Sequence, residues 1–83
     1  MGLINMYNFI KKMQYGRFEQ IININVNINA SITYAGVTRT VSNDKLPYEL
    51  GKIENDISNK LLEQYNVEQE TIRILDNLGY EQL

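Results

Sequence analysis

The sequence predicts an α+β fold: an N-terminal helix, a long antiparallel β-hairpin with a bulge, and two C-terminal helices packed on one face of the sheet. Three observations carry this. Phe18, Gln20, Ile22, Ile24, Val26, Ile28, Ala30, Ile32 and Tyr34 fall on one parity. Asn23, Asn25, Asn27 and Asn29 fall on the other, and strict alternation sends successive side chains to opposite faces of a strand. Met6, Phe9, Ile10 and Met13 recur at helical spacing before this stretch, and Leu46, Leu50, Ile53, Ile57 and Leu61 do so after it.

In chain order, residues 5–15 form the first expected helix, with Lys11 and Lys12 off its apolar stripe. Gly16 is its stop, because glycine takes positive φ without a Cβ clash. Residues 18–42 are the ribbon, with two candidate turns. A two-residue turn at Ala35–Gly36 makes an unusually long first strand. A loop at Asn29–Ala30–Ser31 instead faces Ile28 with Ile32 and Val26 with Tyr34. It then needs a β-bulge at Ala35–Gly36 to bring Val37 and Val41 to the aliphatic face. The second arrangement is the preferred one. A two-residue turn at Asn29–Ala30 would put Ile32 and Tyr34 on the Asn face.

Ser42, Asn43 and Asp44 make a polar break, and Pro47 suits a first helical turn, where its missing N–H costs nothing. Residues 46–65 then read as one helix, or as two short ones divided near Ser58, since Gly51 and Ser58–Asn59 weaken the run. Asn66 is the expected joint, with Gln69 at the capping-box position. Residues 67–78 form the last helix, with Ile72, Ile74, Leu75 and Leu78 apolar. Gly79 ends it, and Tyr80 is placed for the contact that follows a glycine cap. Ile22, Ile24, Val26 and Ile28 are expected to pack on Leu50, Ile53, Ile57, Leu61, Ile72 and Leu75.

The chain has 83 residues, 43% hydrophobic and 22% charged, which suits one small domain with a marginal core. It contains no cysteine and no histidine. That removes disulfides, thiol nucleophiles, the commonest general base near neutral pH and the commonest metal ligand. No phosphate-binding glycine loop, nucleophile elbow, zinc spacing or calcium loop is present. A non-enzymatic protein with no cofactor and no metal is therefore expected. No run approaches the roughly 20 apolar residues that span a bilayer. Met1–Phe9 lacks the basic start and apolar core of a secretory leader. A cytoplasmic location is expected, in the host cell if the gene is carried by a phage.

Charge is unevenly spread. Residues 1–43 carry Lys11, Lys12, Arg17 and Arg39 against Glu19, whereas residues 44–83 carry four cations against nine carboxylates. Glu49, Glu54, Asp56, Glu63, Glu68, Glu70 and Asp76 are candidate protein-binding residues on an acidic helical face. Such a face offers carboxylates where a nucleic-acid-binding protein expects phosphates. Asn23, Asn25, Asn27 and Asn29 are a second candidate surface, rich in donors and acceptors. The unpaired edges of the ribbon invite a strand from another chain or a second copy, and so a homodimer. Lys11, Lys12, Arg17 and Arg39 are a candidate basic patch, with Tyr7, Tyr15 and Tyr34 nearby for stacking on a single-stranded nucleic acid.

Residues 60–75 resemble the helix-turn-helix pattern of DNA-binding regulators. Leu61, Tyr65, Val67, Ile72 and Leu75 occupy its apolar positions, and Asn66 stands where its turn glycine usually sits. Leu62 departs from the pattern, since a small residue normally lets the two helices approach. Glu68, Glu70 and Asp76 against Arg73 alone also depart from it, because phosphate contacts need cations. Direct nucleic-acid binding is therefore not the expected function. In size, element order and acidic helices the chain resembles small anti-CRISPR proteins, which block nucleic-acid-binding effectors. The resemblance implies a protein-binding inhibitor from a phage or other mobile element. A helix-turn-helix regulator and a subunit that self-assembles through its ribbon edge are the alternatives.

Overall fold

A computed structural model describes residues 6–83. Four strands, β1 (Tyr7–Tyr15), β2 (Phe18–Val26), β3 (Ala30–Tyr34) and β4 (Val37–Val41), are followed by a short 3₁₀ turn at Asn43–Lys45 and one helix, α1 (Leu46–Asn77). The strands form an antiparallel meander in the order β1-β2-β3-β4. The fold is α+β, but the helices expected at the N-terminus and at 46–65 and 67–78 are replaced by a strand and by a single long helix.

The first correction falls on residues 5–15, of which residue 5 lies outside the described residues. This segment is β1, paired with β2 from Tyr7↔Val26 to Tyr15↔Phe18. Its apolar residues fit both periods, and the ready partner in β2 decides between them. Tyr7, Phe9, Lys11, Met13 and Tyr15 then share one face, and aromatic side chains suit a pleated surface. Gly16 is not a helix stop but the first residue of a two-residue hairpin turn. It has φ +59, and Arg17 follows at negative φ, the pattern of a type II′ turn.

The turn at Ala35–Gly36 exists, and the reversal expected at Asn29–Ser31 falls instead at Asn27–Asn29, so the ribbon holds three strands. Asn27–Asn29 link β2 to β3, with the Asn27 N–H bonded to the Asn29 carbonyl at 3.1 Å. The register is Val26↔Ala30 and Ile24↔Ile32, an even shift from the expected pairing that leaves every side chain on its expected face. Ile28, expected in the core, sits at the loop tip and is 84% exposed. There is no bulge at Ala35–Gly36. Both residues have positive φ, +50 and +77, as a type I′ turn requires. A two-residue turn exchanges the parities, so Val37 faces Tyr34 and Val41 faces Ala30 without an inserted residue.

The second correction concerns the C-terminal half. α1 runs unbroken for 32 residues through Gly51, Ser58–Asn59 and Asn66. All four positions are exposed, so each costs only its intrinsic propensity, about 0.5–1 kcal/mol, while the apolar stripe holds the helix to the sheet. Segment 60–75 accordingly lacks the turn that a helix-turn-helix needs. The expected end is present. Gly79 has φ +91, its N–H bonds the Asp76 carbonyl at 3.0 Å, and the Tyr80 N–H bonds the Leu75 carbonyl at 3.1 Å. This is a Schellman cap.

α1 lies on the aliphatic side of the sheet. Ile22, Ile32, Val41, Ile53, Ile57 and Leu61 form the buried core, flanked by Met13, Phe18, Ile24, Tyr34, Leu46 and Leu50. Burial of each such aliphatic chain is worth roughly 1.5–3 kcal/mol. Val26 is half-buried and lies outside this cluster. Ile72 and Leu75 do not cover the sheet as expected, and are 41% and 44% exposed. The reason is length: α1 spans about 48 Å and outruns the strands beneath it. The molecule measures 68 × 26 × 15 Å, and its radius of gyration is 18.5 Å, against about 12 Å for a compact chain of this size.

Candidate interaction surfaces

The acidic and basic candidates meet inside the molecule. Lys11 pairs with Glu54 at 3.2 Å, Arg39 with Glu49 at 3.8 Å, and Arg17 with Glu68. Each joins a strand or turn to α1, so cations from the first half of the sequence are paired with carboxylates from the second. All three pairs are partly exposed, and such pairs contribute about 0–1 kcal/mol each. Lys12 points to the opposite face of the sheet and pairs with Glu19 at 2.9 Å. The four cations therefore form no common patch.

The carboxylates do not form one face either. Glu49, Asp56, Glu63 and Glu70 recur every seven residues and share one flank of α1, while Glu54 and Asp76 lie on the other. Glu49 also pairs with Lys52, Asp56 with Lys60, and Glu70 with Arg73. Among the described residues, Glu63 and Asp76 are the two candidate carboxylates without an ion-pair partner. No group of three or more potential metal ligands occurs among the described residues.

The Asn row divides. Asn23 and Asn25 lie on the open face of the sheet, whereas Asn27 and Asn29 belong to the β2–β3 loop. Across the open face, Asn25 Nδ2 donates to Asn8 Oδ1 at 2.8 Å, and the Thr33 and Thr38 hydroxyls bond at 2.8 Å. These cross-strand bonds use part of the side-chain hydrogen-bonding capacity of this face. Ile10 (69% exposed) and Ile21 (38%) are the apolar members of this face.

Two further surfaces were not legible from local patterns. One is the projecting end of α1. The stripe that packs on the sheet at Ile53, Ile57 and Leu61 continues beyond Tyr65 as Val67, Ile72, Leu75 and Leu78, all exposed, with Ile74 exposed on another side of the helix. Near its base, Val67 and Ile72 border an open hollow with Phe18 and Arg17; near its tip, Leu75 and Tyr80 border another. The other is the corner of the sheet that α1 leaves bare. Tyr7 and Phe9 share the face of Ile22 and Ile24, yet are 60% and 58% exposed. The signal for the first was a helix longer than the strands it covers, hidden by the joint expected at Asn66; the second follows from Tyr7–Tyr15 being a strand, hidden by the helix expected there.

No family model, no curated protein and no solved structure matches the chain. No helix among the described residues is long and apolar enough to cross a membrane.

Proposed function

We propose that the protein is a non-enzymatic protein-binding module, and that its docking element is the projecting end of α1. The observation that carries this reading is the apolar stripe Val67, Ile72, Leu75 and Leu78, which continues the core stripe past the last strand with nothing of its own chain over it. A row of apolar side chains left in water at the end of a long docked helix points to an outside partner. Glu68, Glu70, Asp76 and Glu81 lie around the stripe; Arg17 and Arg73 pair with the first two, which leaves Asp76 and Glu81 to give it an acidic rim. The partner that fits is a protein with an apolar groove rimmed by lysine and arginine, which the helix enters by its apolar face.

A basic rim of this kind is what a nucleic-acid-binding protein carries. Occupation of that groove would make the chain an inhibitor of the sort that phages and mobile elements deploy against host effectors. The ion pairs to Lys11, Arg17 and Arg39 shift this reading from broad charge mimicry to a helix end with an acidic rim. The test uses the immobilised protein against purified nucleic-acid-binding proteins with exposed basic grooves, at low and high salt. Retention that is displaced by duplex DNA and lost in a Leu75→Lys, Leu78→Lys variant supports the reading. Retention that survives this double substitution overturns it, as does failure to retain any of them at low salt.

A further inference from the structure

We propose that the outer edge of β1 is an interface for a second copy of the chain. Two molecules would join there into one continuous eight-stranded antiparallel sheet, with Ile10 on the two-fold axis. This surface is separate from the projecting end of α1 and does not depend on it.

β1 is an outermost strand of nine residues. Tyr15 and Phe18 bracket a two-residue turn, so they form a hydrogen-bonded pair, and alternation along the ladder assigns the inward groups to Tyr7, Phe9, Lys11, Met13 and Tyr15. The N–H and C=O groups of Asn8, Ile10, Lys12 and Gln14 therefore point outward. No proline or bulge blunts this edge. β4, the other edge, has five residues.

The charges select a register. Centring the two-fold on Lys11 or Lys12 sets a lysine directly opposite its own copy, which is destabilising. Centring it on Ile10 pairs Tyr7 through Met13 of each chain. Lys11 then faces the partner's Phe9, Lys12 faces the partner's Asn8, and Met13 faces the partner's Tyr7. Every lysine meets a neutral residue, and a lysine beside an aromatic ring is an attractive pair. A centre on Phe9 also separates the lysines but shortens the pairing within β1.

The same register explains the bare corner. α1 covers the end of β1 at Tyr15, where the Tyr15 and Tyr65 rings meet edge-on at 4.9 Å, and leaves the Tyr7–Phe9 end open. Antiparallel pairing sets the open end of each chain beside the covered end of its partner. On the opposite face it brings the two exposed Ile10 side chains together. Pairing thus removes from water apolar groups on both faces while satisfying the outward backbone groups between them.

Light scattering over a concentration series tests this first, since the expected mass is twice 9.7 kDa. Ile10→Lys places like charges on the axis at a position already exposed, and should give a monomer with an unchanged circular dichroism spectrum. Ile10→Cys, in a chain without cysteine, should oxidise to a disulfide-linked dimer. The Cα separation of a hydrogen-bonded antiparallel pair, about 5.5 Å, suits that bond. Gln14→Cys should not cross-link. A wild-type mass of 9.7 kDa at every concentration overturns the proposal. So does a dimeric Ile10→Lys, or cross-linking of Gln14→Cys as fast as that of Ile10→Cys. If Ile10→Lys fails to fold, the two cysteine variants decide.

Discussion

The ring of Tyr65 lies against the backbone of Gly16, so close that a Cβ built on Gly16 would stand 2.5 Å from Tyr65 Cδ1. Gly16 also holds φ +59. The position thus excludes side chains twice, by conformation and by contact, and it fixes where α1 crosses the β1–β2 turn. Gly16→Ala is expected to destabilise the protein by about 2–4 kcal/mol. In a Tyr65→Ala background the same change should cost only the turn strain, about 1 kcal/mol. Urea unfolding of the wild type, the two single variants and the double variant measures the coupling; additive costs would mean that the ring and the turn are independent.

Ala35 holds φ +50 in a type I′ turn without the residue that such turns favour. Ala35→Asn should raise stability by about 0.5–1 kcal/mol, because asparagine tolerates the left-handed region better. The readout is the melting temperature, and a fall in it would contradict the turn assignment.

Ile22 is 1% exposed beneath α1, while Asn23, its neighbour in sequence, is exposed on the open face. Ile22→Asp buries an unpaired carboxylate and should abolish the cooperative unfolding transition. Asn23→Asp should change stability by less than about 0.5 kcal/mol. Equal losses in the two variants would sink the assignment of faces.

Asn66 lies inside α1, exposed, with no turn at it. Asn66→Ala should therefore stabilise the helix by about 0.5 kcal/mol and raise its ellipticity. A residue that caps a new helix would give the opposite sign, a loss of about 1 kcal/mol.

The sheet was legible where one period alone explained the residues. From Phe18 to Tyr34 the alternation set the faces, and even a wrong turn position kept them, because the error was an even number of residues. It was not legible at Tyr7–Tyr15, where Met6, Phe9, Ile10 and Met13 fit a helix as well as alternation fits a strand; only pairing with β2 settles it. Asn66 misled for another reason. Its capping chemistry is local, whereas the helix is held by a stripe that begins at Leu46, and beyond Tyr65 it continues a helix already nucleated on the sheet. The cations and carboxylates were visible in sequence. Their mutual pairing was not, since Arg17 and Glu68 are separated by 51 positions.

Each strand of this sheet pairs with the strand next to it in the chain, so three short reversals build it without any distant segment. Most of the loop-closure entropy is thereby avoided, and such chains reach their native state quickly. The exception is the contact of α1 with β1, which brings the first and last thirds of the chain together. Docking of α1 on β1 therefore closes the longest loop in the fold. On a ribosome the strands emerge before α1 does, and their aliphatic side waits in water until the helix arrives.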